Sequence, residues 1–318
     1  MTTEASRNIS RRQFLAAGGT IAATCLFPGC LVAQTDGLVE SAFKEAATTK
    51  VTVQNLRRNI SVLLGAGGNI AVLTGPDGKL LVDAEIITAR PNVSDALASI
   101  NADPVKQLIN THWHFDHTGG NEWLHAAGAS ILAHQNTRKH LSKATRVKGN
   151  WQHTFPPAPA SAIPSTIFED EYTLHVNNTT LMLKHYLPAH TDSDVSVHFA
   201  EADILHTGDT FWNRDYPFID YATGGSIDGH IRAAEANIAS VTEKTIVIPG
   251  HGSLGGKADL ILFREVLVEI RDKVAALKRQ GKPLTEVVAA KPGARYDAEW
   301  GNLFQSPSDF IALVYQGV

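Results

Sequence analysis

Four apolar runs in this chain each stop at a histidine or aspartate with glycine or proline close by. That recurrence limits the fold more than any other feature. VKQLIN (Val105–Asn110) runs into THWHFDHTGG, and TTLMLKHYL (179–187) runs into PAHTDSD. DILHTG (203–208) ends on Asp209, and TIVIP (245–249) ends on GHG, which holds His251. Runs of this length and composition read as strands. Strands that present polar side chains from loops at one edge of a sheet are a common way to build a site.

The densest of these exits is NTHWHFDHTGG, residues 110–120. If the extended backbone continues past Asn110, alternation turns His112 and His114 one way and Trp113 and Phe115 the other, towards the core. Asp116 and His117 follow, where Thr118-Gly119-Gly120 bends the chain towards a helix. Imidazole and carboxylate are donors suited to zinc. His190, Asp209 and His251 bring the candidate metal donors to seven: His112, His114, Asp116, His117, His190, Asp209 and His251.

The remaining sequence fills in an α/β pattern. ISVLLG from Ile60, NIAVLTG from Asn69 and KLLVDA from Lys79 read as strands, and GPDG marks a tight turn between the last two. Helices are expected over 92–100, 121–128, 136–144, 229–240 and 259–280. The last carries Phe263, Val266, Leu267, Ile270, Val274 and Leu277 at 3–4 spacing. Residues 149–164 hold four prolines with Trp151 and His153 and read as a loop long enough to be a functional flap. His153 is therefore a candidate substrate contact. No repeat or linker divides residues 51–318, so one α/β domain is expected, with a helical C-terminal extension from about 282.

Residues 1–34 differ from the rest. SRRQFL carries adjacent arginines, Arg11 and Arg12, ahead of an apolar, Gly/Ala-rich run. This is the layout of a twin-arginine signal peptide, with residues 35–50 as a tether or loose helix. The chain is then expected to be periplasmic or secreted, with no membrane span after cleavage. Both cysteines, Cys25 and Cys30, fall within the signal, so the mature chain would contain no disulfide or thiolate ligand. FPGC gives a weak lipidation signal at Cys30. A net charge of −4 with no basic stripe gives no reason to expect a nucleic-acid partner.

HWHFDH, AH, GD and PGHG, in this order, resemble the metallo-β-lactamase superfamily over about residues 51–275. The resemblance implies an αββα sandwich with a dinuclear zinc site at one edge. Iron or manganese are alternative metals. His112, His114 and His190 match the first metal position; Asp116, His117 and His251 match the second; Asp209 matches the bridging carboxylate. Asp83, which ends LLVD, matches an aspartate near the site; a turn-forming role competes with one beside the metals. The implied chemistry is hydroxide attack on the carbonyl of a small-molecule ester, lactone, thioester or β-lactam amide, with Asp116 orienting the water and passing on a proton.

Two positions depart from familiar branches. The best-known β-lactam hydrolases have cysteine or serine where this chain has Asp209, and glyoxalase II-like enzymes usually read PGHT where this chain has PAHT. Rival readings are a phosphodiesterase, a mononuclear iron enzyme of the persulfide-dioxygenase kind, or a metal-binding protein without catalysis. SAFK (41–44) matches the S-x-x-K of serine β-lactamases, but no partner motif follows, so it is set aside. His134 and His230 remain ambiguous, and the other histidines read as packing or surface residues.

Overall fold

The computed structural model describes residues 37–301 and 304–318. The expected signal segment, with Arg11, Arg12, Cys25 and Cys30, lies outside the described residues.

Two sheets face each other. In the first, strands Thr52–Asn55, Ile60–Leu64, Ile70–Leu73 and Lys79–Val82 pair antiparallel in chain order. Val105–Asn110, Ser130–His134 and Thr166–Phe168 then add in parallel to complete seven strands. In the second, Glu171–Val176, Thr179–His185, Val195–Phe199 and Ile204–His206 are antiparallel, and Ile246–Ile248 lies parallel to the last of them.

Between the sheets, Val62, Leu73, Leu80, Val82 and Ile109 of the first meet Leu181, Leu183, Val195, Val197 and Phe199 of the second. Helices Leu38–Thr48 and Arg90–Ile100 cover the outer face of the first sheet, with Ala46, Val93 and Leu97 packed against Leu63, Val72 and Leu81. Helices Ile227–Ser240, Lys257–Arg279 and Pro307–Gly317 cover the second, where Leu205 and Val247 meet Ala234, Phe263, Ile270 and Phe310. The architecture is the αββα sandwich expected from the sequence. It explains why IAVL, and LLV after Lys79, are apolar throughout: strands covered on both faces have no solvent side to alternate towards. Thr179–His185 does alternate, burying Leu181 and Leu183 while Met182 is exposed.

The 23-residue helix Lys257–Arg279 has its first turn closed by Asp259, whose carboxylate accepts Gly256 N–H at 3.0 Å. It buries Leu260, Phe263, Val266, Leu267, Ile270 and Val274 on one face. Replacing Phe263 by alanine would cost about 3–5 kcal/mol, as for other large core rings.

Several elements differ from the sequence expectation. Strands Thr52–Asn55, Thr166–Phe168 and Glu171–Val176 were not anticipated. Residues 149–164 are not a single loop: His153–Phe155 pairs with Thr145–Val147. Within the segment expected as a tether or loose helix, Leu38–Thr48 is a docked helix that buries Val39 and Ala46. The strand before the dense motif stops at Asn110, and Phe115–Thr118 is a helical turn, so simple alternation does not carry through the motif.

Candidate metal centre

Strand ends and short turns bring all seven candidate donors together. His112, His114, His190 and Asp209 form one group whose donor atoms lie within 4.8 Å of one another, and Asp116, His117 and His251 form a second. His114 Nδ1 is 2.9 Å from His190 Nε2, and His117 Nε2 is 3.3 Å from His251 Nε2. Asp209 stands between the groups: Oδ1 is 3.1 Å from His117 Nε2, and Oδ2 is 3.4 Å from both His190 Nε2 and His251 Nε2. Asp116 Oδ2 is 3.2 Å from His251 Nε2. His251 is the partly exposed member, at 14% of its side-chain surface, and the other six are buried.

Four of the five rings have an acceptor on the nitrogen that points away from the cluster. His112 Nδ1 lies 3.1 Å from Thr111 Oγ1, which itself donates to Asp83. His114 Nε2 lies 3.2 Å from Asp220 Oδ2, His117 Nδ1 lies 2.8 Å from Asp83 Oδ2, and His190 Nδ1 lies 2.8 Å from the Phe218 carbonyl. These contacts hold the proton on the outer nitrogen and leave a lone pair on the inner one. Lone pairs this close repel unless a cation lies between them. His112 Nε2 and Asp116 Oδ1 are buried without a hydrogen-bond partner. The donor set therefore fits metal ions.

The electrostatics agree. Burial disfavours charge on His117, but Asp209, Asp116 and Asp83 outweigh it and hold the pKa well above the usual imidazole range. For His251, burial is likewise outweighed by Asp209 and Asp116, and the pKa rises to about 9. Burial alone would raise Asp209, yet His117, His251 and His190 pull it well below the carboxylate range. The carboxylates thus favour positive charge at the centre of the cluster.

Local geometry makes room for this crowding. A side chain at Gly68 would strike the His117 ring, and one at Gly250 would strike Asp209. Asp83 and Glu85 both have positive φ, 69° and 59°. Such backbone costs of order 1–3 kcal/mol per residue and persists where the surroundings fix it. Here Asp83 accepts from Thr111 N at 2.7 Å and from Thr111 Oγ1 at 2.8 Å in addition to contacting His117. Asp83 thus has both the turn conformation and the contact beside the cluster that the sequence left open.

Three buried carboxylates near the donors escaped the sequence reading: Asp220, Glu85 and Asp194, which accepts His190 N–H at 2.7 Å. Asp220, beside His114, is held by Thr223 Oγ1 at 2.6 Å and Ala222 N at 3.0 Å. Glu85 accepts from Gly67 N at 2.9 Å and Ile86 N at 2.7 Å, pinning the glycine turn that passes Asp116, and burial raises its pKa. His153 is on the strand His153–Phe155, with Nδ1 3.5 Å from Glu40 Oε1, and belongs to neither donor group. His134 stacks on His185 at 3.7 Å. His230 is buried 6.2 Å, ring to ring, behind His190. Neither joins the donor groups.

A family model described as the metallo-beta-lactamase superfamily matches residues 63–251, more than half of the chain. A hydroxyacylglutathione hydrolase from Polaromonas sp. is 25% identical over 173 residues, covering 54% of this chain and 57% of that protein. An acyl-coenzyme A thioesterase from Gallus gallus is 24% identical over 214 residues, covering 60% of this chain and 75% of that protein. The chain thus spans little more than half the length of the first of these relatives. Among solved structures, a stereoselective inverting sec-alkylsulfatase from Pseudomonas sp. has a TM-score of 0.64 at 15% identity, covering 89% of this chain and 53% of that one. That likeness is one of fold.

Proposed function

The chain belongs to the metallo-β-lactamase superfamily, and from that premise we propose that it is a metal-dependent hydrolase with a dinuclear zinc site that cleaves an ester, lactone, thioester or β-lactam amide of a small molecule. One observation carries the reading: seven donors form two adjacent groups with a single carboxylate, Asp209, between them. His112, His114 and His190 would hold one ion, Asp116, His117 and His251 the other, and Asp209 both. When bound, such ions lower the pKa of a shared water towards neutrality and polarise a carbonyl.

The side chains have separable tasks. Thr111, Asp220, Asp83 and the Phe218 carbonyl keep the outer ring protons in place, so the inner nitrogens stay free as ligands. Asp116 Oδ1 has no hydrogen-bond partner and is suited to accept a proton from the attacking water and return it to the leaving group. The hydroxyacylglutathione hydrolase and acyl-coenzyme A thioesterase relatives support acyl transfer to water over phosphodiester cleavage.

The test is elemental analysis of protein purified without chelators, paired with hydrolysis assays on a lactone, a thioester, nitrocefin and a phosphodiester. About two zinc ions per chain with carbonyl hydrolysis is the expected result. One oxygen-sensitive iron per chain with oxygen consumption would replace this reading with the dioxygenase one, and metal without turnover would leave a binding protein. Export through the twin-arginine route is part of the proposal. It rests on Arg11 and Arg12 ahead of the apolar run; cell fractionation of the full chain beside an R11K/R12K variant tests it. Among the described residues no helix is long and apolar enough to cross a membrane.

A further inference from the structure

Four aromatic rings form a continuous wall along both donor groups. Trp151 lies 5.0 Å from the His114 ring and stacks on Phe218 at 4.7 Å with an 11° interplanar angle. Phe218 in turn lies 6.2 Å from both His114 and His190. At the other group, Trp212 lies 4.2 Å from the His251 ring. Phe304 joins the two ends, 5.9 Å from Trp151 and 5.6 Å from Trp212. Trp151, Phe218 and Trp212 are buried, whereas Phe304 is partly exposed, as His251 is.

The wall also carries two donors without acceptors. The indole N–H groups of Trp151 and Trp212 are buried and have no hydrogen-bond partner. Nothing in the wall carries a charge. Arg214, two residues beyond Trp212, has its guanidinium tied to Asp259 at 3.3 Å and Glu299 at 2.9 Å. A thiol carrier such as glutathione or coenzyme A bears carboxylates or phosphates, which call for free cations. A cationic ligand is disfavoured for a different reason: the two donor groups would themselves hold cations beside it. What remains is a neutral ring. Aromatic faces pack on it in offset or edge-on geometry.

We propose that Trp151, Trp212, Phe218 and Phe304 are the specificity wall of this site and select an uncharged ester or lactone bearing an aromatic ring. This rests on the hydrolase reading and narrows its substrate class.

The test separates the two claims. Binding is read first, as quenching of intrinsic tryptophan fluorescence by 4-nitroanisole, a neutral ring ether that the centre cannot hydrolyse. Saturable quenching is expected, weakened at least tenfold in Phe304→Ala and less in Phe304→Leu. Phe304 is partly exposed, and circular dichroism checks the fold of both variants. Turnover is read second on metal-loaded protein. Phenyl acetate should exceed 4-acetoxybenzoate and S-lactoylglutathione at least tenfold in kcat/KM, with Phe304→Ala raising KM for phenyl acetate and leaving kcat within threefold. Wild-type-like quenching in both variants overturns the wall. A preference for the anionic thioester does the same. Saturable quenching that weakens in the variants, with no ester, lactone or thioester turned over, leaves the wall standing and removes the hydrolase.

Discussion

Replacing Asp220 by asparagine should disable the first donor group while leaving the fold in place. In the native chain Asp220 Oδ2 faces His114 Nε2 at 3.2 Å, Thr223 Oγ1 donates to the same oxygen at 2.6 Å, and Ala222 N–H donates to Oδ1 at 3.0 Å. Burial would raise the Asp220 pKa, but its contacts with His114 and Thr223 hold it below the usual carboxylate range, so it is ionised. An asparagine keeps one acceptor oxygen for Ala222 and presents an amide N–H to His114. His114 Nε2 must then accept, which moves the ring proton to Nδ1, the atom 2.9 Å from His190 Nε2. A hydrogen bond to a charged group contributes about 1.5–3 kcal/mol, a factor of about 10 to 100 in metal affinity, the range that contacts behind a ligand span. Alanine, which imposes no tautomer, should weaken metal binding less than asparagine does, although it lowers the melting temperature more by freeing Ala222 N–H. Competition with a zinc-binding dye measures the affinity, and thermal melts of the metal-free variants measure the fold. Asparagine binding metal as tightly as the native chain, or more tightly than alanine, would refute the tautomer argument.

Asp209→Ala should remove the shared carboxylate and with it the paired character of the centre, so metal content falls below two per chain and hydrolysis is lost together. Normal content and turnover would overturn the site. Metal uptake should release protons and strengthen with pH, because His251 keeps its proton up to about 9 in the metal-free chain; calorimetry in two buffers of different ionisation enthalpy reads the proton count. By the same linkage, the His251 contribution to metal-free stability is fully present below its unfolded pKa of about 6.5 and disappears as pH rises through about 9. The Asp209 contribution is present above about 4 and disappears in acid; urea melts of chelated protein across pH 3–10, a range of about seven units, follow both. Phe263→Ala should lower stability by about 3–5 kcal/mol in such melts with little effect on metal affinity, since the ring packs in the outer helix layer away from the donors.

The seven donors could be read from the chain because each follows an apolar strand, where residue type and position carry the same message. Asp220 could not. It lies in a stretch that forms only a short helical turn, Tyr221–Thr223, and its contact with His114 spans 106 positions. Glu85 was hidden for a related reason: its partner, the turn at Gly67, is defined by backbone N–H groups, which every residue but proline has. Among the strands, Thr52–Asn55 is exposed at every position and so carries no burial pattern. Glu171–Val176 does alternate, with Tyr172, Leu174 and Val176 turned inward, but Glu171, Thr173 and His175 on the other face lower its apolar content. His153 was tied to the flap by its neighbour Trp151, and the hairpin that holds His153, near Glu40, depends on pairing with Thr145–Val147.

The acceptors behind His112, His114, His117 and His190 come from three stretches of backbone, at Asp83, Thr111 and Phe218–Asp220, and every one of these contacts is between groups of the chain itself. Held by contacts of this kind, the cradle should persist without its cargo. Stripping the ions should leave an intact but idle protein that recovers on remetallation within the time of diffusion and desolvation, without passing through a refolding step.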